Sequence, residues 1–494
     1  MSVIKIENLS FAYPGSYDNI FENLDLTLDS DWKLGLVGRN GRGKTTLLRI
    51  LCGELEYSGK IISSVGFDYF PYAVPDGSET TESVLHSVCR DAEEWQIERE
   101  LSYLDLDSDA LERPFDTLSN GERTKALLAA LFLNEGRFLL IDEPTNHLDA
   151  EARKLVSAYL RKKSGFILVS HDRRFIDGCV DHIMSINRSG IELQSGNFSS
   201  WLLNYERRQS SEEAQNEQLK KEIRRLGAAA KHAEAWSERA ESAKYGGDTS
   251  KHAVVDRGYL SAKSARMMKR SKAIESRRQN AAEQKSELLK DTETAEELKL
   301  RPLLYRSERL AELKDLVVCY GGKEVCEPQS FEIKRGDRIA LVGKNGSGKS
   351  SILKLLAGED VPHTGTLILG SRQLKVSYVR QDSSRLCGDL RSFAEEGGID
   401  ESLFKAILRK MGFERVHFEK RIEELSEGQR KKLLLAKSLC TEAHLYVWDE
   451  PLNFIDVFSR LQIEELIRRF SPTMIFAEHD AAFRDGIANK SIEL

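Results

Sequence analysis

Two stretches of this 494-residue chain, "GRNGRGKT" (Gly38 to Thr45) and "GKNGSGKS" (Gly343 to Ser350), place glycines, a lysine and a hydroxyl at the spacing GxxxxGK(S/T). That combination suits a polyphosphate. The glycines let successive backbone N–H groups curl around an anion, Lys44 or Lys349 reaches the terminal phosphates, and Thr45 or Ser350 offers a hydroxyl to Mg²⁺. The first candidate phosphate site is therefore Gly38, Asn40, Gly41, Gly43, Lys44, Thr45 and Thr46. The second is Gly343, Asn345, Gly346, Gly348, Lys349, Ser350 and Ser351. Downstream, "RFLLIDEP" and "HLYVWDEP" each end an apolar run in Asp-Glu. Asp142 and Asp449 can hold the metal with its water, and Glu143 and Glu450 can polarise the attacking water. Beyond a further apolar run, "LVSHDRRF" and "IFAEHDAAF" bring His171 and His479 within plausible reach of a γ-phosphate.

Such residues need a scaffold, and the flanking sequence supplies one twice. In "KLGLV" and "RIALV" an apolar run leads into the glycine-rich turn and then into an apolar-periodic helix, the strand, loop, helix order of an α/β nucleotide-binding domain. Asp142 and Asp449 are 307 residues apart, as are Gly121 and Gly428, while Lys44 and Lys349 are 305 apart and His171 and His479 are 308 apart. A near-constant offset across four motifs indicates a duplicated domain. The copies span 1–200 and 306–494.

The segment between them, 201–305, has a different texture: one proline, Pro302, dense charge, and apolar residues at helical spacing such as Leu219, Ile223 and Leu226. It reads as a long helical hairpin, Trp201 to Lys244 and Val254 to Lys290, joined by a loop at Tyr245 to Ala253 where Tyr245-Gly246-Gly247-Asp248 signals a turn. The segment holds 22 basic and 17 acidic residues, a net +5, which leaves −11 for the remainder of a chain whose total is −6. That asymmetry is a nucleic-acid footprint. Lys263, Arg266, Lys269, Arg270 and Lys272, in a stretch with a single acid at Glu275, are candidate contacts to an RNA backbone.

Seven scattered cysteines with no CxxC pair point to reduced, buried thiols in a cytoplasmic protein. The longest apolar run, "ALLAALFL" from Ala126 to Leu133, is far too short for a bilayer span, so the chain should carry no membrane domain of its own.

"LSNGE" (Leu118 to Glu122) and "LSEGQ" (Leu425 to Gln429), taken with "DEPTNHLD" and the downstream histidines, resemble the signature of ABC ATPases, over both halves of the chain. The resemblance implies two domains facing head to tail within a monomer, with each ATP held between the P-loop of one and the signature of the other. One site would then unite Lys44, Thr45, Asp142, Glu143 and His171 with Ser426 and Gly428. Its mate would unite Lys349, Ser350, Asp449, Glu450 and His479 with Ser119 and Gly121. Tyr13 and Tyr320 match the aromatic that stacks on adenine, and Gln381 in "YVRQD" matches the Q-loop glutamine at the metal. Two departures stand out: Tyr72 occupies the corresponding first-half position, and "EPLNFID" carries Leu452, Phe454 and Ile455 in place of the "EPTNHLD" pattern. The resemblance therefore implies two active sites of unequal rate.

The fused tandem and its charged linker further resemble the ABC-F family, and "EPLNFIDVFSR" with "SAKSARMMKRSKAIESRR" look like its Lsa and Vga type of resistance factors. That likeness implies a ribosome-binding ATPase. The linker would contact large-subunit rRNA near the exit-site tRNA and protect the peptidyl-transferase centre from lincosamide, pleuromutilin and streptogramin A drugs. A housekeeping translation factor is the alternative within the family, and the ATPase subunit of an exporter the alternative outside it.

Overall fold

The computed structural model describes residues 2–14, 19–146, 148–187, 190–212, 214–219, 221, 300–321, 323–344, 346–371 and 373–494. Asn345, the tip Tyr245 to Ala253 and the five basic residues from Lys263 to Lys272 lie outside the described residues. Contacts divide the chain into one unit of Met1–Trp201 with Glu296–Leu494 and a second of Leu202–Ala295. In the second unit, residues 202–212 and 214–219 are helical.

In the first unit each half is built on a parallel sheet. The first sheet runs Gly66–Phe70, Arg137–Asp142, Phe166–Val169, Lys33–Gly38, His182–Asn187, closed by the antiparallel edge strand Gly190–Ser195. The second runs Val376–Val379, Leu445–Asp449, Met474–Ala477, Arg338–Val342, Lys490–Glu493. Central strands covered on both faces must be apolar throughout. Phe138 to Ile141, Phe166 to Val169 and Leu445 to Trp448 are accordingly all buried. Each half adds an antiparallel sheet, Phe21–Asp29, Val3–Phe11 and Ser58–Ile62 in the first, and Lys323–Glu324, Gln329–Lys334 and His363–Leu369 around Arg309–Tyr320 in the second.

Strand order decides where the chemistry sits. In the first half the strand ending at Val169 lies between the one ending at Asp142 and the one ending at Gly38, with Asp142 paired to Val169 and Leu36 paired to Val169 from the other side. Parallel neighbours about 4.8 Å apart thus deliver Asp142, the nearby His171 and the glycine-rich loop to one carboxyl-end edge. The second half repeats this with Asp449, Ala477 and Leu341.

Two expectations need amendment. Residues 300–305, read above as linker, pack on the second domain: Leu300 and Tyr305 are buried and Leu303 N donates to Ala443 O at 2.8 Å. The thiols are not uniformly buried either. Cys89 and Cys179 are, but Cys387 is exposed, because it lies in a loop that precedes the helix Leu390–Glu396 instead of in a sheet. Among the described residues no helix is long and apolar enough to cross a membrane.

Candidate active site

Both P-loop helices, Lys44–Leu51 and Lys349–Leu356, start directly after a glycine in the left-handed region, Gly43 at φ 88° and Gly348 at φ 92°. That geometry turns the loop back over the helix N-terminus. The lysines fold under it: Lys44 Nζ donates to Gly38 O at 2.9 Å, and Lys349 Nζ to Gly343 O at 2.8 Å and Lys344 O at 2.7 Å. Burial lowers the pKa of both, with nearby carboxylates opposing it. A Cβ at Gly43 would lie 2.5 Å from Ile20 Cγ2 and 2.9 Å from Phe21 Cζ, whereas at Gly348 the nearest atom is 3.5 Å away. Gly43→Ala should therefore cost more than the roughly 1–2 kcal/mol of the left-handed backbone alone, and Gly348→Ala about that amount, readable as unequal losses in melting temperature.

Thr45 Oγ1 donates to Asp142 Oδ2 at 2.7 Å, and Ser350 Oγ to Asp449 Oδ1 at 3.0 Å. Asp449 Oδ2 is buried with no hydrogen-bond partner among the described residues, and burial pushes this carboxyl up to about 6 despite the Ser350 bond. A buried, unsatisfied carboxylate oxygen beside a P-loop hydroxyl is the donor set a hard divalent cation requires. Ser350, Asp449 and Gln381 would hold Mg²⁺ at the second site, and Thr45 and Asp142 at the first, where the ion would neutralise charge on the phosphates.

The two glutamates differ. Glu143 has His171 Nε2 at 3.1 Å, and burial together with Asp142 pushes its carboxyl up to about 8. Glu450 is also buried, but it accepts from Gln381 Nε2 at 2.8 Å and Asn453 Nδ2 at 2.5 Å and has His479 Nε2 at 3.5 Å. Burial raises its pKa, and the His479 and Gln381 contacts overcome that and hold it below the usual carboxylate range. Tyr72 explains part of the contrast. By strand pairing, Phe70 opposite Ile141 corresponds to Val379 opposite Trp448, so Tyr72 falls at the Gln381 position and brings no amide. Tyr69 instead donates to Asp142 Oδ2 at 3.0 Å.

The signature serines are helix caps. "LSNGE" and "LSEGQ" both form capping boxes: Ser119 Oγ accepts from Glu122 N and Ser426 Oγ from Gln429 N, each at 3.3 Å, while Glu122 and Gln429 return a bond to the serine N–H. An accepting hydroxyl keeps its own proton to donate to a phosphate. A cavity of about 760 Å³ carries Ser119, Gly121, Lys125, Asn146 and Asp149 of the first half on one wall. Tyr320, Gly346, Gly348, Lys349, Ser350, Ser351, Gln381, Glu450 and His479 of the second half line the other. Tyr320 OH lies 3.0 Å from Ser351 Oγ, and Tyr13 OH 3.0 Å from Thr46 Oγ1. At the opposite site the halves meet directly. Asn40 Nδ2 donates to Phe454 O at 2.8 Å, and a Cβ at Gly428 would lie 3.1 Å from Asn40 Nδ2.

Several participants escaped the motif reading. Arg153 Nη1 binds Asp172 at 3.0 Å and Arg460 Nη1 binds Asp480 at 2.9 Å, and each arginine also donates to two carbonyls of the loop after the Asp-Glu pair: Thr145 and Leu148, or Leu452 and Ile455. Lys432 Nζ meets Asp456 Oδ2 at 2.7 Å in a buried pair. The signal was available, since Arg153 and Arg460, Lys125 and Lys432, and Asp149 and Asp456 all recur at the 307-residue offset.

A tandem of ATP-binding cassettes is the class this fold and site define. The family described as ABC transporter matches at residues 21–146 and 326–453, half of the chain. ATP-binding protein Uup of Caulobacter vibrioides is 30% identical over 96% of this chain and 74% of its own length. Ribosome protection protein VmlR of Bacillus subtilis is 26% identical over 99% and 86%, and energy-dependent translational throttle protein EttA of Escherichia coli is 27% identical over 96% and 89%. Among solved structures, an archaeal ribosome recycling factor, aABCE1, aligns with a TM-score of 0.61 at 21% identity over 96% of this chain and 84% of its own, a likeness of fold. The chain belongs to the ABC-F family and is an ATPase.

Proposed function

We propose that this ATPase acts on the ribosome, closing its two halves on ATP and using segment 201–305 to protect the peptidyl-transferase centre from lincosamide, pleuromutilin and streptogramin A drugs. The observation that carries the ATP-driven closure is the cavity in which Lys349, Ser350 and Glu450 of one half face Ser119 and Gly121 of the other. ATP would bridge the halves there, and its hydrolysis would release them. In this reading Glu143 and Glu450 polarise water, His171 and His479 orient the γ-phosphate, and Tyr13 and Tyr320 meet the base. The likeness to a ribosome protection protein and the net +5 of segment 201–305 support the ribosomal partner, with Lys263, Arg266, Lys269, Arg270 and Lys272 on rRNA phosphates. The comparable likeness to a translational throttle protein supports a second reading, a housekeeping translation factor.

A Glu143→Gln, Glu450→Gln variant incubated with ATP should sediment with ribosomes through a sucrose gradient, and recovery only with membranes would sink the ribosomal reading. Drug susceptibility then separates the two readings. Unchanged inhibitory concentrations on expression of the wild type would favour the housekeeping role.

The contrast between the glutamates predicts a pH signature. The kcat/KM profile reports ionisations of the free enzyme. Glu143 keeps its proton to about pH 8, so a protein with only the first site active, Glu450→Gln, should gain kcat/KM as pH rises from 6 towards 9. Glu450 is held below the ordinary range, so Glu143→Gln should show a flat profile over that interval. Parallel profiles would show that the two carboxyls do not control their sites.

A further inference from the structure

Behind the second ATP cavity lies another, of about 640 Å³, and His479 lines both. Its walls come from the helix Ala150–Arg161, the helix Arg173–Cys179 and the start of the helix Ala481–Ile487. Six cations line it: Arg153, Lys154, Arg161, Lys162, Arg174 and Arg484. The carboxylates set against them are Asp172, taken by Arg153 at 3.0 Å, and Asp485, reached by Arg174 at 2.7 Å and Arg484 at 3.6 Å. Lys154 and Arg161 stand exposed on one helix, and Lys162, at its end, is exposed over the ring of Tyr103. A concave surface carrying this excess of positive charge, with protein on several sides, focuses an attractive potential on small anions.

The duplicated half carries less of this positive charge. At the 307-residue offset Arg161 and Lys162 are matched by Arg468 and Arg469, but Lys154, Ser157 and Ala158 correspond to Leu461, Glu464 and Glu465. Glu464 is ion-paired with Arg173 and lies 3.8 Å from Arg468. Two acids and a leucine thus stand behind the first site where a lysine, a serine and an alanine stand behind the second.

We infer that this groove is an anion site that receives inorganic phosphate cleaved at the second ATP site and carries it out past His479. Hydrolysis converts ATP and water into ADP and inorganic phosphate, and ADP stays between the P-loop and the opposing signature. The new anion then lies against the His479 wall, with the cationic groove on its far side. Charge attraction there lowers the barrier to separation from ADP. The inference rests on the second site being Lys349, Ser350, Glu450 and His479 with Ser119 and Gly121.

The test uses the full chain carrying Glu143→Gln, so that turnover comes from the second site. ATP cleavage is followed by chemical quench and phosphate release by a fluorescent phosphate sensor in the same single turnover. In the Lys154→Gln, Arg161→Gln, Lys162→Gln variant, cleavage should stay within about twofold, while release should lag it by about tenfold or more. Product inhibition by inorganic phosphate should weaken in parallel. Release that keeps pace with cleavage overturns the proposal, and if ribosome sedimentation is weakened instead, the groove is a nucleic-acid surface. Lys349→Ala in the same background separates the two assignments. Lost cleavage there upholds the ATP site on which the groove depends, whereas intact cleavage removes both.

Discussion

Replacing Glu143 and Glu450 together with glutamine should lower ATP turnover by about 10²- to 10⁴-fold, the range associated with loss of a positioned base, while ATP stays bound. The substitution is nearly isosteric, and neither glutamate belongs to the glycine-rich loops under which Lys44 and Lys349 fold. In the proposed cycle, ATP left uncleaved would then keep the halves together. Growth of cells expressing this variant should slow as ribosomes are sequestered. The single variants are informative because the two carboxyls differ: Glu450 is ionised and held by Gln381 and Asn453, while Glu143 retains its proton near neutrality. At pH 7, Glu450→Gln should therefore remove more of the total turnover than Glu143→Gln. Equal losses would show that the amide contacts to Glu450 have no catalytic weight.

Arg460→Ala should destabilise the second half by about 3–5 kcal/mol, the cost of removing one partner of a buried ion pair. Arg460 and Asp480 side chains are only 7% and 1% exposed, so water cannot replace the lost partner. The same change frees the carbonyls of Leu452 and Ile455, which shape the loop reaching across to Asn40. Urea unfolding followed by tryptophan fluorescence reads the effect, since Trp448 is buried in the adjoining sheet. The pH dependence has a definite sign. Burial raises the pKa of Asp480, and Arg460 and Arg173 overcome that and hold it below its ordinary value. Its contribution is present above the unfolded carboxylate pKa and disappears as pH falls through the lowered folded value. The gap between wild type and Arg460→Ala should accordingly narrow in acid. A constant gap would assign the loss to the carbonyl contacts and packing instead.

Much of the site is local chemistry and so is legible in the sequence. GxxxxGK(S/T) specifies its loop because only glycine takes the φ of Gly43 and Gly348 cheaply, and the lysine and hydroxyl follow at fixed helical positions. The capping boxes are written as S-x-x-E/Q, and the apolar runs before Asp142 and Asp449 announce strands covered on both faces. The constant offset of about 307 residues likewise reveals the duplication before any coordinate is known.

What sequence could not decide depends on contacts between residues far apart in the chain. The different proton affinities of Glu143 and Glu450 arise from which donors fold onto each, and only packing shows that Gln381 reaches Glu450 while Tyr69, from the matching strand, turns to Asp142. Arg153 and Arg460 read as ordinary surface-helix charges until Asp172 and Asp480 arrive from another element. The cationic groove behind His479 is composed of three helices drawn from both halves, and charges dispersed along the sequence act together only because the fold places them on one wall. Local conformational preference acts over a few residues and can be read from them, whereas burial, desolvation and focused potential are properties of three-dimensional neighbourhoods.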